Sequence, residues 1–134
     1  MPTSPPKQAE TKAMSPRMND RPAVAYKVLT AEQMEALEAD GSFAGAPVDL
    51  ADGYIHLSTA GQLDETVAKH FAGQDRLLIA AVDLPVLADA VKWEASRGGA
   101  LFPHIYAPLP LSAVIAYGPL ERDHDGKVKL PVAG

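Results

Sequence analysis

Cysteine is absent from the 134-residue chain. That removes disulfides, thiolate metal sites and a cysteine nucleophile from consideration. No apolar run approaches the roughly 20 residues of a membrane-spanning helix, and no secretory h-region precedes the folded part, so a cytoplasmic location is expected. There is no Gly-rich phosphate loop and no G-x-S-x-G elbow. The four histidines, His56, His70, His104 and His124, stand at none of the i, i+2 or i, i+4 spacings of recognised metal sites, and no metal is expected. Basic side chains are also few. The formal charge is −5, and Lys7, Lys12, Arg17 and Arg21 all lie within the first 22 residues beside only Glu10 and Asp20. The remainder is therefore still more acidic, which argues against nucleic acid as a partner, because such binding rests largely on phosphate neutralisation.

What is present is an ordinary globular composition, 47% hydrophobic and 22% charged, long enough for one core. Residues 1–22 hold five prolines and no aromatic side chain. They bury too little to offset the entropy of ordering, and a disordered tail is expected there, with one domain over 23–134.

Val24 to Leu29 reads as a strand. Thr30 with Gln33 is a capping box and Leu29 with Met34 a hydrophobic staple, so a helix follows as far as about Ala39 and stops at Gly41. Ser42 to Ala51 shows no period and reads as a loop. Leu63, Val67 and Phe71 mark a second helix, from about Ala60 to Ala72. Arg76 to Val82 is a nearly unbroken apolar run, as in a strand covered on both faces, and Asp83-Leu84-Pro85 ends it. Short strands follow at Val91 to Glu94, Phe102 to Tyr106 and Ser112 to Tyr117, with a turn at Arg97-Gly98-Gly99 and a hairpin tip at 123–126. The class this implies is α+β: a single domain with a mainly antiparallel sheet and two helices.

The most concentrated chemistry lies in Asp52-Gly53-Tyr54-Ile55-His56-Leu57-Ser58-Thr59. Asp52-Gly53 is a turn signal. Tyr54, His56 and Ser58 alternate with Ile55 and Leu57, so the polar set shares one face. Thr59 with Gln62 is a second capping box, placing a helix N-terminus and its field beside His56. Phe102-Pro103-His104-Ile105-Tyr106 repeats the pattern, with His104 and Tyr106 on one side. For His56 the competing reading is a strand-end histidine satisfied by a backbone carbonyl, and for His104 a core strand. Trp93 reads as core, and Glu94 as either a solvated strand residue or a site carboxylate. The shared pattern predicts that His56, His104 and Tyr106 converge on one solvent-reachable pocket, with the imidazoles within about 12 Å, the reach of one small ligand.

Tyr26-Lys27-Val28-Leu29, the 52–59 motif, Gln62, Thr66, Lys92-Trp93-Glu94 and the 102–106 motif together resemble domain-of-unknown-function family 952, small bacterial and plant proteins. The resemblance covers about residues 24 to 120. That family is similar to the ADP-ribosyltransferase fold, which holds NAD in a cleft between two small sheets. The resemblance implies that the sheet is split and that NAD is the ligand, with His56 contacting the ribose, Tyr106 stacking on the nicotinamide, and Glu94 steadying an oxocarbenium or activating the acceptor. His104 is counted with His56 and Glu94 as catalytic, and Tyr54, Ser58 and Thr59 join His56 and Tyr106 in binding. The relatives run His, Tyr, Glu along the chain, whereas here Glu94 precedes Tyr106. Two other readings stand beside this one. His56-Leu57-Ser58 and, more loosely, His104-Ile105-Tyr106 fit a two-histidine phosphoesterase acting on a cyclic phosphate. The same cleft also suits a non-catalytic module that binds a nucleotide or similar metabolite.

Overall fold

A computed structural model describes residues 22–95 and 99–131. The tail expected over 1–22 lies almost wholly outside the described residues, as do Arg97 and Gly98 of the expected turn.

Strand β1, Val24–Thr30, runs straight into helix α1, Ala31–Asp40. Thr30 supplies the cap: Gln33 N–H donates to Thr30 Oγ1 at 3.1 Å and Thr30 N–H to Gln33 Oε1 at 3.0 Å. Gly41 ends the helix at φ 76°, where a residue with a Cβ is disfavoured. The segment read as a loop is structured. Strand β2, Ser42–Phe43, comes first, and helix α2, Pro47–Asp52, follows. Proline opens α2, where its missing N–H costs nothing, and Asp49 Oδ2 reaches back to Ala46 N–H at 2.8 Å. An element of six residues is too short to show a hydrophobic period, so the sequence concealed it.

Strand β3 is only Ile55–His56. Ser58 then bridges to Tyr26 of β1, with N–H···O distances of 2.8 and 2.9 Å. At the second expected cap only half of the box forms. Thr59 N–H donates to Gln62 Oε1 at 3.0 Å, but Gln62 N–H goes to the Thr59 carbonyl, also at 3.0 Å, and the Thr59 hydroxyl caps nothing. A 3₁₀ turn over Ala60–Gln62 results, and helix α3 spans Leu63–His70. Strand β4, Leu77–Asp83, leads through the short helix α4, Leu84–Leu87, to β5, Val91–Ala95. Strands β6, Leu101–Ile105, β7, Leu109–Pro110, and β8, Val114–Pro119, follow. The two expected helices are thus joined by two brief proline-opened ones, α2 and α4. The closing hairpin forms, with Asp123 N–H to the Lys127 carbonyl at 2.8 Å.

The strands make two antiparallel three-stranded sheets, β1-β4-β8 and β3-β6-β5, and a two-stranded β2-β7 ribbon. β4 is central in the first sheet and buried on both faces, as its apolar run requires. Ala25 and Leu29 of β1, with Ala80 and Val82 of β4, pack against α1 and against Ile55, Leu57 and Ile105 of the second sheet. Tyr26, Val28, Ile79 and Ala81 pack on the opposite face against Leu63 and Val67 of α3 and against Val128. Both faces of the first sheet are therefore covered, and the bridge at Ser58 ties the edges of the two sheets together. No helix among the described residues is long and apolar enough to cross a membrane.

Candidate functional site

The second sheet has one core face and one polar face. Ile55, Val91, Trp93 and Ile105 alternate onto the core side. The register sets the other face. His56 of β3 pairs directly with His104 of β6, so two histidines far apart in sequence stand opposite each other on one face. Their ring centroids are 5.3 Å apart. Tyr54 lies against both, 4.7 Å from His56 and stacked 4.1 Å from His104, and its ring is 5.2 Å from that of Tyr106. The expected approach of His56 and His104 within about 12 Å is met, whereas Tyr106 joins the ring cluster through Tyr54 but stands outside the cleft that the two histidines line.

Each imidazole is held by a carboxylate at Nδ1. Glu94 Oε1 is 2.7 Å from His104 Nδ1, and the Tyr106 hydroxyl donates to both Glu94 oxygens at 2.8 and 3.0 Å. The hydrogen bonds from His104 and Tyr106 hold the Glu94 carboxyl below its ordinary range. The same bond to Glu94 pushes the Tyr106 phenol up to about 12. His104 is buried, with 3% of its surface exposed.

His56 is fixed by residues that sequence reading did not single out. Asp49 Oδ1 is 2.6 Å from His56 Nδ1 and accepts the His56 backbone N–H at 3.1 Å. Asp49 Oδ2 lies 2.9 Å from Lys27 Nζ, and Lys27 in turn donates to the His56 carbonyl at 3.1 Å. Asp49 and Lys27 are both buried. Burial alone would raise the Asp49 carboxyl, but the His56 hydrogen bond and the Lys27 charge outweigh it and hold it at about 2. Burial pushes the Lys27 ammonium below its ordinary value, against the pull of Asp49. A signal for this pair did exist. Period-two alternation puts Lys27 on the same side of β1 as Ala25 and Leu29, and a lysine facing a core requires a carboxylate partner. On its other side His56 meets Asp52, with Nε2 2.9 Å from Oδ2.

A cleft of about 610 Å³ opens beside this cluster. Its walls come from β1 and the start of α1 (Lys27, Thr30, Gln33), from α2 (Pro47, Asp52), from His56 and Ser58, from α3 (Thr66, His70, Phe71), and from Phe102 and His104. Of the residues expected in the site, His56, Ser58 and His104 line the cleft, whereas Tyr54, Thr59, Glu94 and Tyr106 do not. Ser58 Oγ shares a 2.8 Å hydrogen bond with Thr66 Oγ1 of α3. The Tyr106 hydroxyl is engaged by Glu94, and His104, not Tyr106, lines the cleft.

Fold and site together define a small α+β protein in which two antiparallel sheets enclose a cleft walled by a carboxylate-anchored histidine pair. The chain belongs to the family described as Protein of unknown function (DUF952), which it matches over residues 28–117. It is similar to protein CC0527 of Caulobacter crescentus. The crystal structure of that protein superimposes with a TM-score of 0.72 at 48% identity, covering 79% of this chain and 93% of the other. The solution NMR structure of CC0527 gives a TM-score of 0.68 at 48% identity, covering 78% and 90%. No curated protein matches the chain.

Proposed function

We propose that the cleft binds NAD as a donor substrate and that the protein is an ADP-ribosyltransferase-like enzyme. The observation that carries this reading is the pairing of His56 with His104 on the wall of a cleft of about 610 Å³, a size within the roughly 300–1,000 Å³ of small-molecule sites. Fixing both Nδ1 atoms on carboxylates orients each ring, and His56 Nε2, which rests 2.9 Å from Asp52 Oδ2, would exchange that partner for a ligand. His56 would then hold a ribose hydroxyl and His104 would face the nicotinamide end. Glu94 serves by orienting His104. The buried Lys27 is committed to Asp49, so the phosphates would meet neutral donors on the wall, Thr30, Gln33 and Ser58. The resemblance to the ADP-ribosyltransferase fold proposed from the sequence motifs favours the same reading by analogy.

A second reading is favoured by the same imidazole pair. Two carboxylate-oriented rings 5.3 Å apart also suit general acid–base cleavage of a cyclic phosphate, one ring as base and the other as acid. Incubating the protein with NAD and with cyclic nucleotide phosphates separates the two, with calorimetry run in parallel. Transfer predicts saturable NAD binding with nicotinamide release, lost in His56→Ala while the fold persists. Ring opening without NAD turnover supports the phosphoesterase, and binding without turnover supports a non-catalytic nucleotide module.

A further inference from the structure

Three carboxylates surround the two imidazoles, and their oxygens are unequally committed. Asp49 is buried, with 1% of its surface exposed, and its oxygens serve Lys27, Ala46 N–H and His56. Glu94 is engaged by His104 and by the Tyr106 hydroxyl, and it does not line the cleft. Asp52 differs from both. It is the one carboxylate among the described residues of the cleft wall. Its side chain is 46% exposed, and Oδ2 lies 2.9 Å from His56 Nε2. Asp49 and Asp52 are three residues apart on α2 and so share a helix face. Helix α2 therefore grips one imidazole from both ends, through a buried structural carboxylate and an open one.

We infer that Asp52 is the carboxylate that acts on the ligand in this cleft, the role that the family resemblance assigns to Glu94. This rests on the ADP-ribosyl transfer reading above. In the step, the bond between ribose C1′ and the nicotinamide ring nitrogen breaks, and its electron pair leaves with nicotinamide, neutralising the pyridinium. The Asp52 carboxylate faces the positive charge that develops on the ribose. A hydroxyl acceptor, water or an alcohol, closes an oxygen lone pair onto C1′, and its proton passes to Asp52. The products are ADP-ribosylated acceptor, nicotinamide and one proton, which Asp52 returns to solvent. His56, held by Asp49, keeps the carboxylate in place until ligand arrives.

The test compares the full-length wild type with Asp52→Asn and Asp52→Ala, measuring nicotinamide release from NAD, NAD affinity by calorimetry, and near-ultraviolet dichroism. Asp52→Asn is expected to bind NAD within about threefold of the wild type while release falls by at least about 100-fold, the range for losing a proton-transfer group. Asp52→Ala is expected to regain part of its activity when formate is added, because a small carboxylate then fills the vacated position. Release by Asp52→Asn within about twofold of the wild type overturns the role of Asp52 and leaves the transfer reading standing. Equal losses of binding and release with no formate rescue also overturn it, since Asp52 then only positions His56. A wild type that releases no nicotinamide overturns both readings at once.

Discussion

Replacing Asp49 by Asn removes one charge and almost no volume from the point at which His56 is anchored. In the folded protein the carboxyl lies at about 2, against an ordinary 3.8. At about 1.4 kcal/mol per pH unit, this difference corresponds to about 2 kcal/mol of stability held by the ionised form. Removing one partner of a buried pair costs about 3–5 kcal/mol, because the other charge is left uncompensated. Asn retains an acceptor oxygen for Lys27 and His56, so a loss of about 2–3 kcal/mol is expected, within that combined range. The assay is urea unfolding of wild type and Asp49→Asn at neutral pH and through an acid series. The sign follows from the depressed value. The contribution is fully present above 3.8 and is lost as pH falls through about 2, so the two proteins should converge in stability across that window. A loss below about 0.5 kcal/mol at neutral pH, the scale of ordinary surface substitutions, would refute the reasoning. So would a difference that stays constant down to the acid end.

Three further outcomes follow from the same geometry. Glu94→Gln should bring the Tyr106 phenol down from about 12 toward its ordinary 10.0, read from the phenolate absorbance; stability tied to that bond is present below 10.0 and lost as pH rises through about 12. An unchanged tyrosine titration would show that the Tyr106–Glu94 bond does not persist in solution. Thr30→Ala should cost about 1 kcal/mol through its lost cap, whereas Thr59→Ala should cost less than about 0.5 kcal/mol because its hydroxyl caps no N–H; equal melting shifts for the two would contradict this. Lys27→Met should destabilise by about 3 kcal/mol or more, and adding Asp49→Leu should recover much of it, because an apolar pair leaves no unpaired charge; additive losses would show that the two residues act independently.

The sequence carried the parts of this fold that depend on period and on capping chemistry. β1, α1 and β4 were legible because alternation, the Thr30–Gln33 box and an unbroken apolar run each have one structural meaning. Helix α2 was not, since six residues make less than two turns and its cap is a backbone-to-Asp49 bond with no signature at the preceding Ala46. The Thr59 box did mark the helical start at Ala60, but the first turn is 3₁₀ because the Gln62 N–H goes to the Thr59 carbonyl. In the site, His56 and His104 were legible as strand histidines with polar neighbours. Their 5.3 Å approach follows from a cross-strand register that no local pattern encodes. Asp49 and Lys27 were overlooked because Asp49 lay in a segment read as loop, although the inward phase of Lys27 on β1 already demanded an acid.

NAD binding and ribosyl transfer in this cleft are tested most directly by a crystal structure of the 134-residue chain soaked with NAD. The nicotinamide ribose is expected in the cleft, with ligand oxygens within about 3.2 Å of His56 and His104 Nε2 and the Asp52 carboxylate turned to the C1′ side. NAD bound on another surface, with this cleft left to solvent, would contradict this reading.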